Sequence, residues 1–329
     1  MGCGVSTASH APMRQLVLLG GGECGKTTIF KQIQILYGTG FEQTSMDWIY
    51  AIHRAPARAV KVVLQAVKNR SEEYSLSEAN AEAAERCLDQ HQSAMSLTQE
   101  AAEDMTAIWN DPAVQALLTK DATLDLDDNA KYFMNKLQQL AKPSYRPSTE
   151  DILNVRDPTR TIETLDFQYH KAKFRVIDVG GQRMERPKWN LTGDITAVIF
   201  VCALTEYNQV LREDVKQNRL KESLNLFDIA CNRRYPDKPI ILFLNKADLF
   251  RQKIEQTDLS VCFPNYKGGC NYDPALAYIK QKFLNIRKDK GKEIYMYETT
   301  ATDSSNMEKI IVAMMDIVQK QNLEQSGFN

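Results

Sequence analysis

The segment from Gly20 to Thr28 constrains this chain more than any other part of its sequence. It reads G-G-G-E-C-G-K-T-T and directly follows the apolar run at 16–19. The fixed positions of the pattern G-x-x-x-x-G-K-[S/T] are filled by Gly20, Gly25, Lys26 and Thr27. Such a loop joins a strand to a helix, and its backbone N–H groups surround a phosphate. The pattern therefore predicts an α/β domain that binds a nucleotide, with Lys26 on the β/γ-phosphates and the Thr27 hydroxyl on Mg²⁺.

Bulk composition excludes several other classes of protein. The net charge of −1 over 329 residues argues against a nucleic-acid binder that works by overall charge. The 7 cysteines follow no paired spacing, which favours a reducing compartment over a disulfide framework. No apolar run approaches the ~20 residues that span a bilayer.

The chain begins M-G-C-G-V-S, which fits an N-myristoylation pattern with Gly2 as the acceptor. Cys3 lies beside it and is a candidate for palmitoylation. Because one myristoyl chain gives only marginal membrane binding, the second chain would be the stabilising anchor. We therefore predict a short lipidated tail over residues 1–14.

The rest of the chain divides into two parts with different patterns of apolar residues. Residues 41–153 show helical spacing of apolar residues and almost no strand-like run. From about residue 160, apolar strands alternate with helical stretches, as in a parallel α/β sheet. The predicted strands after the insert lie at 173–178, 197–202, 240–245 and 294–298. Because residues 1–40 cannot complete a phosphate-loop domain, one α/β domain (15–40 with 154–329) interrupted by a helical insert (41–153) is favoured over two independent domains.

A second chemical motif follows the predicted strand 173–178. It comprises Asp178, Val179, Gly180, Gly181 and Gln182. The Asp178 carboxylate at the strand end is suited to hold Mg²⁺ through water, and Gly181 lets a backbone N–H approach a γ-phosphate. The amide of Gln182 both donates and accepts, which suits it to orient an attacking water. Taken alone, this pattern is equally compatible with a tight turn.

A third motif, N-K-A-D, follows the strand 240–245 and comprises Asn245, Lys246, Ala247 and Asp248. The Asp248 carboxylate only accepts hydrogen bonds, so it fits the ring N–H and amino group of guanine, whereas adenine offers no such pair. Guanine is therefore predicted over adenine, since an unpaired carboxylate in the site would disfavour the wrong base.

Arg156 and Thr159 lie between the helical insert and the next strand. Arg156 is suited to give planar positive charge to a transferring phosphoryl group, and Thr159 offers a second Mg²⁺ oxygen. A solvated loop arginine and a turn threonine are the simpler interpretation of these two residues by themselves.

In order and detail these motifs resemble the α subunits of heterotrimeric G proteins, of a fungal-like type with a shortened N-terminal helix. The longer matching segments are Y-R-P-S-T-E-D-I-L (145–153), D-V-G-G-Q-R-M-E-R-P-K-W (178–189), N-R-L-K-E-S-L-N-L-F-D (218–228), F-L-N-K-A-D-L-F (243–250) and K-E-I-Y (292–295). The resemblance implies a Ras-like phosphate-loop GTPase domain, a mostly parallel sheet flanked by helices, with an inserted all-helical domain. It implies a membrane-tethered switch that hydrolyses GTP to GDP and phosphate.

The resemblance also assigns roles to individual residues. Arg156 would be a built-in arginine finger, Gln182 would position the water, and Thr27 with Thr159 would ligate Mg²⁺. The nucleotide contacts that it implies are Glu23, Cys24, Gly25, Lys26, Thr27, Thr28, Asp128, Asn129, Leu153, Asn154, Val155, Arg156, Thr159, Asp178, Val179, Gly180, Gly181, Gln182, Asn245, Lys246, Ala247, Asp248 and Ala301.

The implied partners are a G-protein-coupled receptor at the C-terminal tail, a βγ dimer, effectors and RGS-type regulators, at the cytoplasmic face of the plasma membrane. The segment before the first strand is shorter than the family's βγ-docking helix, so weak βγ association is expected. A nucleotide-loaded scaffold or decoy that turns over poorly is the alternative function, and the presence of Arg156, Gln182, Thr27 and Thr159 favours the enzyme.

Overall fold

The computed structural model describes residues 13–41, 45–89, 96–120, 124, 126–156, 161–191 and 193–325. The predicted lipidation sites Gly2 and Cys3 and the predicted Mg²⁺ ligand Thr159 lie outside these residues. The chain divides into two compact units. Unit 1 comprises Met1–Gly40 with Pro158–Asn329, and unit 2 comprises Phe41–Asp157.

Unit 1 is built on a six-stranded sheet, within the described residues. Its strands are β1 (Arg14–Gly20), β2 (Glu163–Tyr169), β3 (Ala172–Asp178), β4 (Ala197–Ala203), β5 (Ile240–Asn245) and β6 (Ile294–Thr299). Their order across the sheet is β2-β3-β1-β4-β5-β6, and every pair except β2–β3 is parallel. The predicted strands are therefore present, in a mostly parallel sheet.

The continuous apolar run in β1 explains why helices cover both faces of this sheet. Val17 and Leu19 are buried in one apolar cluster, whereas Leu16 and Leu18 are buried in another. Successive strand residues point to opposite faces, so a continuous apolar run demands cover on both. The helices of unit 1 are α1 (Lys26–Tyr37), α9 (Arg219–Asp228), α10 (Ala247–Ile254), α11 (Tyr272–Ile286) and α12 (Ser304–Gln325).

All the regular secondary structure in the described residues of unit 2 is helical. Its helices are α2 (Met46–Asn69), α3 (Ala81–Asp89), α4 (Gln99–Trp109), α5 (Pro112–Lys120), α6 (Ala130–Asn135), α7 (Leu137–Leu140) and α8 (Thr149–Asn154). The spacing at 60, 63, 64 and 67 forms the buried face of α2. Side chains cap several of the helices: the Asp111 carboxylate accepts from the Ala113 N–H at 2.9 Å, and Ser148 forms a capping box with Asp151.

The structure adds one strand that the sequence did not predict. The residues of β2 are mostly exposed, and Phe167 is the buried one, because β2 is an antiparallel strand at the sheet's edge. An edge strand with so little burial lacks the apolar run that identified the others. Within the described ranges, every helix is too short or too polar for a bilayer span.

Candidate functional site

The carboxyl ends of the parallel strands carry the predicted motifs to one edge of the unit 1 sheet. β1 ends at Gly20, β3 at Asp178, and β5 at Asn245. β1 lies between β3 and β4, so the chain order reverses there. Open α/β sheets bind ligands at such a reversal, beyond the strand ends, because the loops on either side diverge and leave a crevice.

Tight packing of the phosphate loop requires glycine at two of its positions. Gly20 has φ +142°, and a Cβ there would lie 2.1 Å from the carbonyl oxygen of Val201. Gly25 has φ +104°, and its Cβ would lie 2.2 Å from Nδ2 of Asn245. Substitution at either position would displace the loop from the sheet edge. Contacts with β4 and β5, as well as room for a phosphate, thus explain why glycines occupy these positions of the pattern.

Lys26 and Cys24 bond to the carbonyls of their own loop. Nζ of Lys26 donates to the Gly21 oxygen at 2.6 Å and to the Gly20 oxygen at 3.1 Å, and the side chain is buried. Sγ of Cys24 donates to the Gly21 oxygen at 3.2 Å, and burial raises the pKa of this thiol. A protonated, buried Cys24 fits the interpretation of a small loop residue better than that of a redox sensor. The half-buried Thr28 follows in α1.

Thr27 and Asp178 bring two hard oxygen donors together. Oγ1 of Thr27 donates to Oδ2 of Asp178 at 2.8 Å, although 151 residues separate them. Hydroxyl and carboxylate oxygens are ligands that Mg²⁺ prefers, and Mg²⁺ typically takes few protein ligands because it keeps waters and phosphate oxygens. The described residues contain no cluster of three or more His, Cys, Asp or Glu that would form an all-protein cage. This donor pair therefore fits Mg²⁺ bound together with a nucleotide.

The segment after β3 packs directly on the phosphate loop. A Cβ at Gly181 would lie 2.3 Å from both Nζ of Lys26 and the carbonyl oxygen of Gly21. A Cβ at Gly22 would lie 3.2 Å from Cγ of Gln182, whose side chain is exposed. The predicted water-positioning residue is thus beside the phosphate loop with its amide accessible. Val179 is buried, and its neighbour Gly180 accepts a hydrogen bond from the indole of Trp189 at 3.0 Å.

Arg186 and Glu222 support this segment, and the sequence had given them no role. The guanidinium of Arg186 donates to the Gly181 oxygen at 3.2 Å and to Oε1 of Glu222 at 2.6 Å. Arg183 also approaches Glu222, at 3.8 Å. Both segments, 178–189 and 218–228, matched the family, so this match was the available signal.

The N-K-A-D motif and the segment 299–301 are joined through Asn245. Its Nδ2 donates to the Cys24 oxygen at 2.9 Å, and its Oδ1 accepts from the Ala301 N–H and the Thr299 hydroxyl, both at 3.0 Å. Asn245 therefore fixes the phosphate loop to the far end of the site and does not face solvent.

Lys246 and Asp248 continue the motif toward solvent. Nζ of Lys246 donates to the backbone carbonyl oxygen of Glu23 at 2.8 Å. Asp248 is exposed and accepts from the Thr300 hydroxyl at 3.1 Å, and the half-buried Ala247 lies between these two residues. An exposed carboxylate at this edge of the sheet is available to accept hydrogen bonds from a nucleotide base.

Glu23 belongs to an ion-pair network that extends from the exposed Arg212 to the buried Glu206. Its backbone has φ 65°, and its carboxylate lies 3.2 Å from Arg212 and 3.1 Å from Arg219. Arg219 also contacts the buried Glu206 at 3.0 Å. Burial alone would lower the pKa of Arg219, but Glu206 and Glu23 outweigh it and hold that pKa above its ordinary value. Glu23 can therefore offer a phosphate its backbone, while its side chain holds the loop.

The remaining predicted contacts lie in unit 2. They are Asp128, Asn129, Leu153, Asn154, Val155 and Arg156. Nδ2 of Asn129 donates to the Asn154 oxygen, so these two are brought together. The side chains of Leu153 and Val155 are buried, which leaves their backbone to contact a ligand. Nη1 of Arg156 donates to Oδ1 of Asp127 at 3.0 Å, a partner that the sequence did not predict.

The comparisons with known proteins agree with this geometry. A family model described as "G-protein alpha subunit" matches residues 5–318. The chain is 39% identical over 316 residues to the guanine nucleotide-binding protein alpha-7 subunit of Caenorhabditis briggsae. It is 37% identical over 320 residues to the G(o) subunit alpha of Caenorhabditis elegans, and 38% identical over 322 residues to the alpha-2 subunit of Dictyostelium discoideum. Each alignment covers 95% of this chain and 90% of the relative.

Proposed function

Because the chain belongs to the family of G-protein alpha subunits, we propose that it is a switch that binds GTP with Mg²⁺ and hydrolyses it to GDP and phosphate. Membership makes it a guanine-nucleotide-binding signalling subunit. Subunits of this family hydrolyse GTP in general, and the proposal extends that activity to this chain. Its fungal-like type stays a prediction.

One observation carries the proposal: the 2.8 Å hydrogen bond between Thr27 and Asp178. It joins the phosphate loop to the segment that holds Gln182. The contact supports a site in which phosphate binding and water positioning occur together.

The chain's own residues divide the work of binding. Lys26 would exchange its loop carbonyls for phosphate oxygens, since a charged partner gives an ammonium a stronger hydrogen bond. Asp248 would accept from guanine's ring N–H and amino group. Thr27 and Thr159 would ligate Mg²⁺, with Asp178 holding it through water; the ion supplies positive charge that stabilises phosphate oxygens.

Hydrolysis would depend on two further groups. The Gln182 amide would hold the attacking water by accepting one of its protons in a hydrogen bond, and Arg156 would stabilise the charge that develops on the transferring phosphoryl group. Both actions position groups and stabilise charge, and neither forms a covalent bond to the protein.

The proposal includes a place at the membrane. Family members generally work with receptors, βγ dimers and effectors at the inner face of the membrane. For this chain we propose lipid anchors at Gly2 and Cys3, receptor contact through the C-terminal tail, and RGS-type regulation.

Single-turnover hydrolysis of bound GTP tests the enzymatic part. Gln182→Leu and Arg156→Cys should each slow the reaction about a hundredfold, since each removes a group that stabilises the transition state. Matched controls are Gln168→Leu, whose exposed amide bonds to the His170 oxygen on the β2–β3 turn, and Arg233→Cys, an exposed surface pair with Asp228. Both should keep the wild-type rate. A wild type no faster than the two site variants would favour the scaffold instead.

A further inference from the structure

We propose that Asp127 is a brake on GTP hydrolysis, because it holds the Arg156 guanidinium inside unit 2. Arg58 contacts the same carboxylate and would keep it paired when Arg156 turns to the phosphate. This inference rests on the proposed function, since it assigns regulation to the same arginine. Asp127 acts only through Arg156, so it is a positioning residue.

Three charged side chains form the arrangement, all in unit 2. Nη1 of Arg156 lies 3.0 Å from Oδ1 of Asp127, and Nη2 of Arg58 lies 3.8 Å from Oδ2. The exposed fractions are 19% for Arg156, 16% for Asp127 and 37% for Arg58. The contact between Arg156 and Asp127 is thus largely screened from water. An ion pair in such surroundings is stronger than one at an open surface.

The pairing with Asp127 reduces the positive charge and the number of N–H donors that Arg156 can offer to a phosphate. A guanidinium beside a carboxylate has part of its positive field cancelled, and at least one of its N–H groups is directed to Asp127. The arginine must break this contact before it can give its full charge to the transferring phosphoryl group. Breaking the contact raises the barrier to hydrolysis by the free energy of the pair.

Arg58 makes this a contact that can open. If Arg156 were the sole cation near Asp127, its departure would leave a poorly solvated carboxylate unpaired, at a large energetic cost. With Arg58 on the second oxygen, Asp127 keeps a cation in both positions of Arg156. The Arg86–Asp104 pair of the same unit differs: two N–H groups grip both oxygens at 2.8 and 2.7 Å. That geometry suits a permanent clamp, whereas the Asp127 arrangement suits exchange of partners.

Replacing Asp127 and replacing Arg58 should have opposite effects on single-turnover hydrolysis by the full chain. Asp127→Asn keeps the side chain's shape and removes its charge, so it should speed hydrolysis about fivefold, the factor equivalent to ~1 kcal/mol of ion pairing. Arg58→Met should slow hydrolysis about threefold, since Asp127 then has Arg156 as its remaining cation of the two. Asp127→Glu keeps the carboxylate and should remain slower than Asp127→Asn. A purely structural role would slow the reaction in all three variants.

A double variant tests whether the effect passes through Arg156. In the Arg156→Cys background, Asp127→Asn should leave the rate unchanged, because no guanidinium remains to be released. Asp166→Asn is the matched control: it removes a carboxylate that pairs with Arg175 on the β2–β3 hairpin at 2.6 Å, and it should match the wild-type rate.

The outcomes separate this inference from the proposed function. If Arg156→Cys slows hydrolysis but Asp127→Asn does not speed it, the brake is wrong and the GTPase proposal stands. If wild type, Arg156→Cys and Asp127→Asn hydrolyse GTP at one common rate, the role of Arg156 is wrong and both proposals fail. An inactive wild type with an active Asp127→Asn variant would support a complete brake.

Discussion

The nucleotide edge of unit 1 and the arginine region of unit 2 hold their polar side chains in different ways. In unit 1, the contacts Thr27–Asp178, Asn245–Cys24 and Arg219–Glu23 join residues 151, 221 and 196 positions apart. In unit 2, Arg156–Asp127 spans 29 positions and Lys136–Asp151 spans 15. One region is fixed by the order of strands across a sheet, and the other by neighbouring helices and the short segments beside them.

The difference bears on what each region can do. Contacts between distant strand ends move only if the sheet rearranges, so the phosphate and base groups of unit 1 are held in advance of binding. A short segment after a helix can change its partner without repacking a core, and Arg156 follows α8 in this way. Our two proposals accordingly place nucleotide binding in the fixed region and regulation of the hydrolysis rate in the adjustable one.

The largest expected effect is on nucleotide affinity, which tests the binding role proposed for the fixed region of unit 1. Asp248→Asn should lower GTP affinity at least about a hundredfold, because the base loses a charged acceptor for two donors. The wild type should also prefer GTP over inosine triphosphate, which lacks the amino group, and the variant should lose this preference. Competition against a fluorescent GDP analogue measures both. Asp273→Asn, in the first turn of α11, is the matched control and should change neither quantity.

The next effect tests whether the unit 1 edge is held as rigidly as its contacts indicate. Arg219→Ala should lower the free energy of unfolding by about 3 kcal/mol, because it leaves the buried Glu206 without this cation. Arg175→Ala removes one partner of an exposed pair with Asp166 and should cost below about 1 kcal/mol. Urea unfolding of the full chain compares them. Equal losses would show that the buried network does not hold the loop.

A smaller effect is expected from pH, and it probes unit 2. Burial alone would raise the pKa of Asp151, but bonds from Lys136, Tyr132 and Ser148 outweigh it and lower that pKa from 3.8 to about 2. Because the folded value is the lower one, this carboxylate stabilises the fold above pH ~4 and loses that contribution as pH falls toward 2. The contribution is about 2 kcal/mol.

Urea unfolding at several pH values measures this contribution. The stability gap between wild type and Asp151→Asn should be about 2 kcal/mol near neutral pH and shrink as the pH is lowered toward 3. Asp47→Asn, on an exposed residue at the start of α2, is the control in the same unit. A gap that stays constant with pH would mean that the cluster around Asp151 does not depend on its charge.

Much of the fold could be predicted because its signals are local. The apolar runs at 16–19 and 240–245 are long enough to identify buried strands, and the helical spacing at 60–67 identifies the buried face of α2. β2 was missed because its pattern is mostly polar, and its pairing with β3 depends on a turn at 170–171 that carries no strong signal. The extent of unit 2 to Asp157 also needed packing information, since Val155 is buried in that unit's core.

The residues of the candidate site also divide into those that the sequence could identify and those that it could not. The glycines, Lys26 and Thr27 are recognisable because each occupies a required position in one short segment. Arg219, Glu222 and Asp127 are not, because an arginine or carboxylate in isolation looks like a solvated surface residue. Their roles follow from partners that lie in other segments.

The sequence by itself determined the family of this protein and predicted its chemistry: a loop for phosphate, oxygens for Mg²⁺ and a carboxylate for guanine. Residue type and short spacing suffice for that, since each motif carries its chemistry within a few residues. Only the tertiary structure decided which groups meet: Asn245 with the phosphate loop, Arg219 with Glu23, and Arg156 with Asp127. Strand order and helix packing bring these pairs together, and neither is written in the local pattern of either partner.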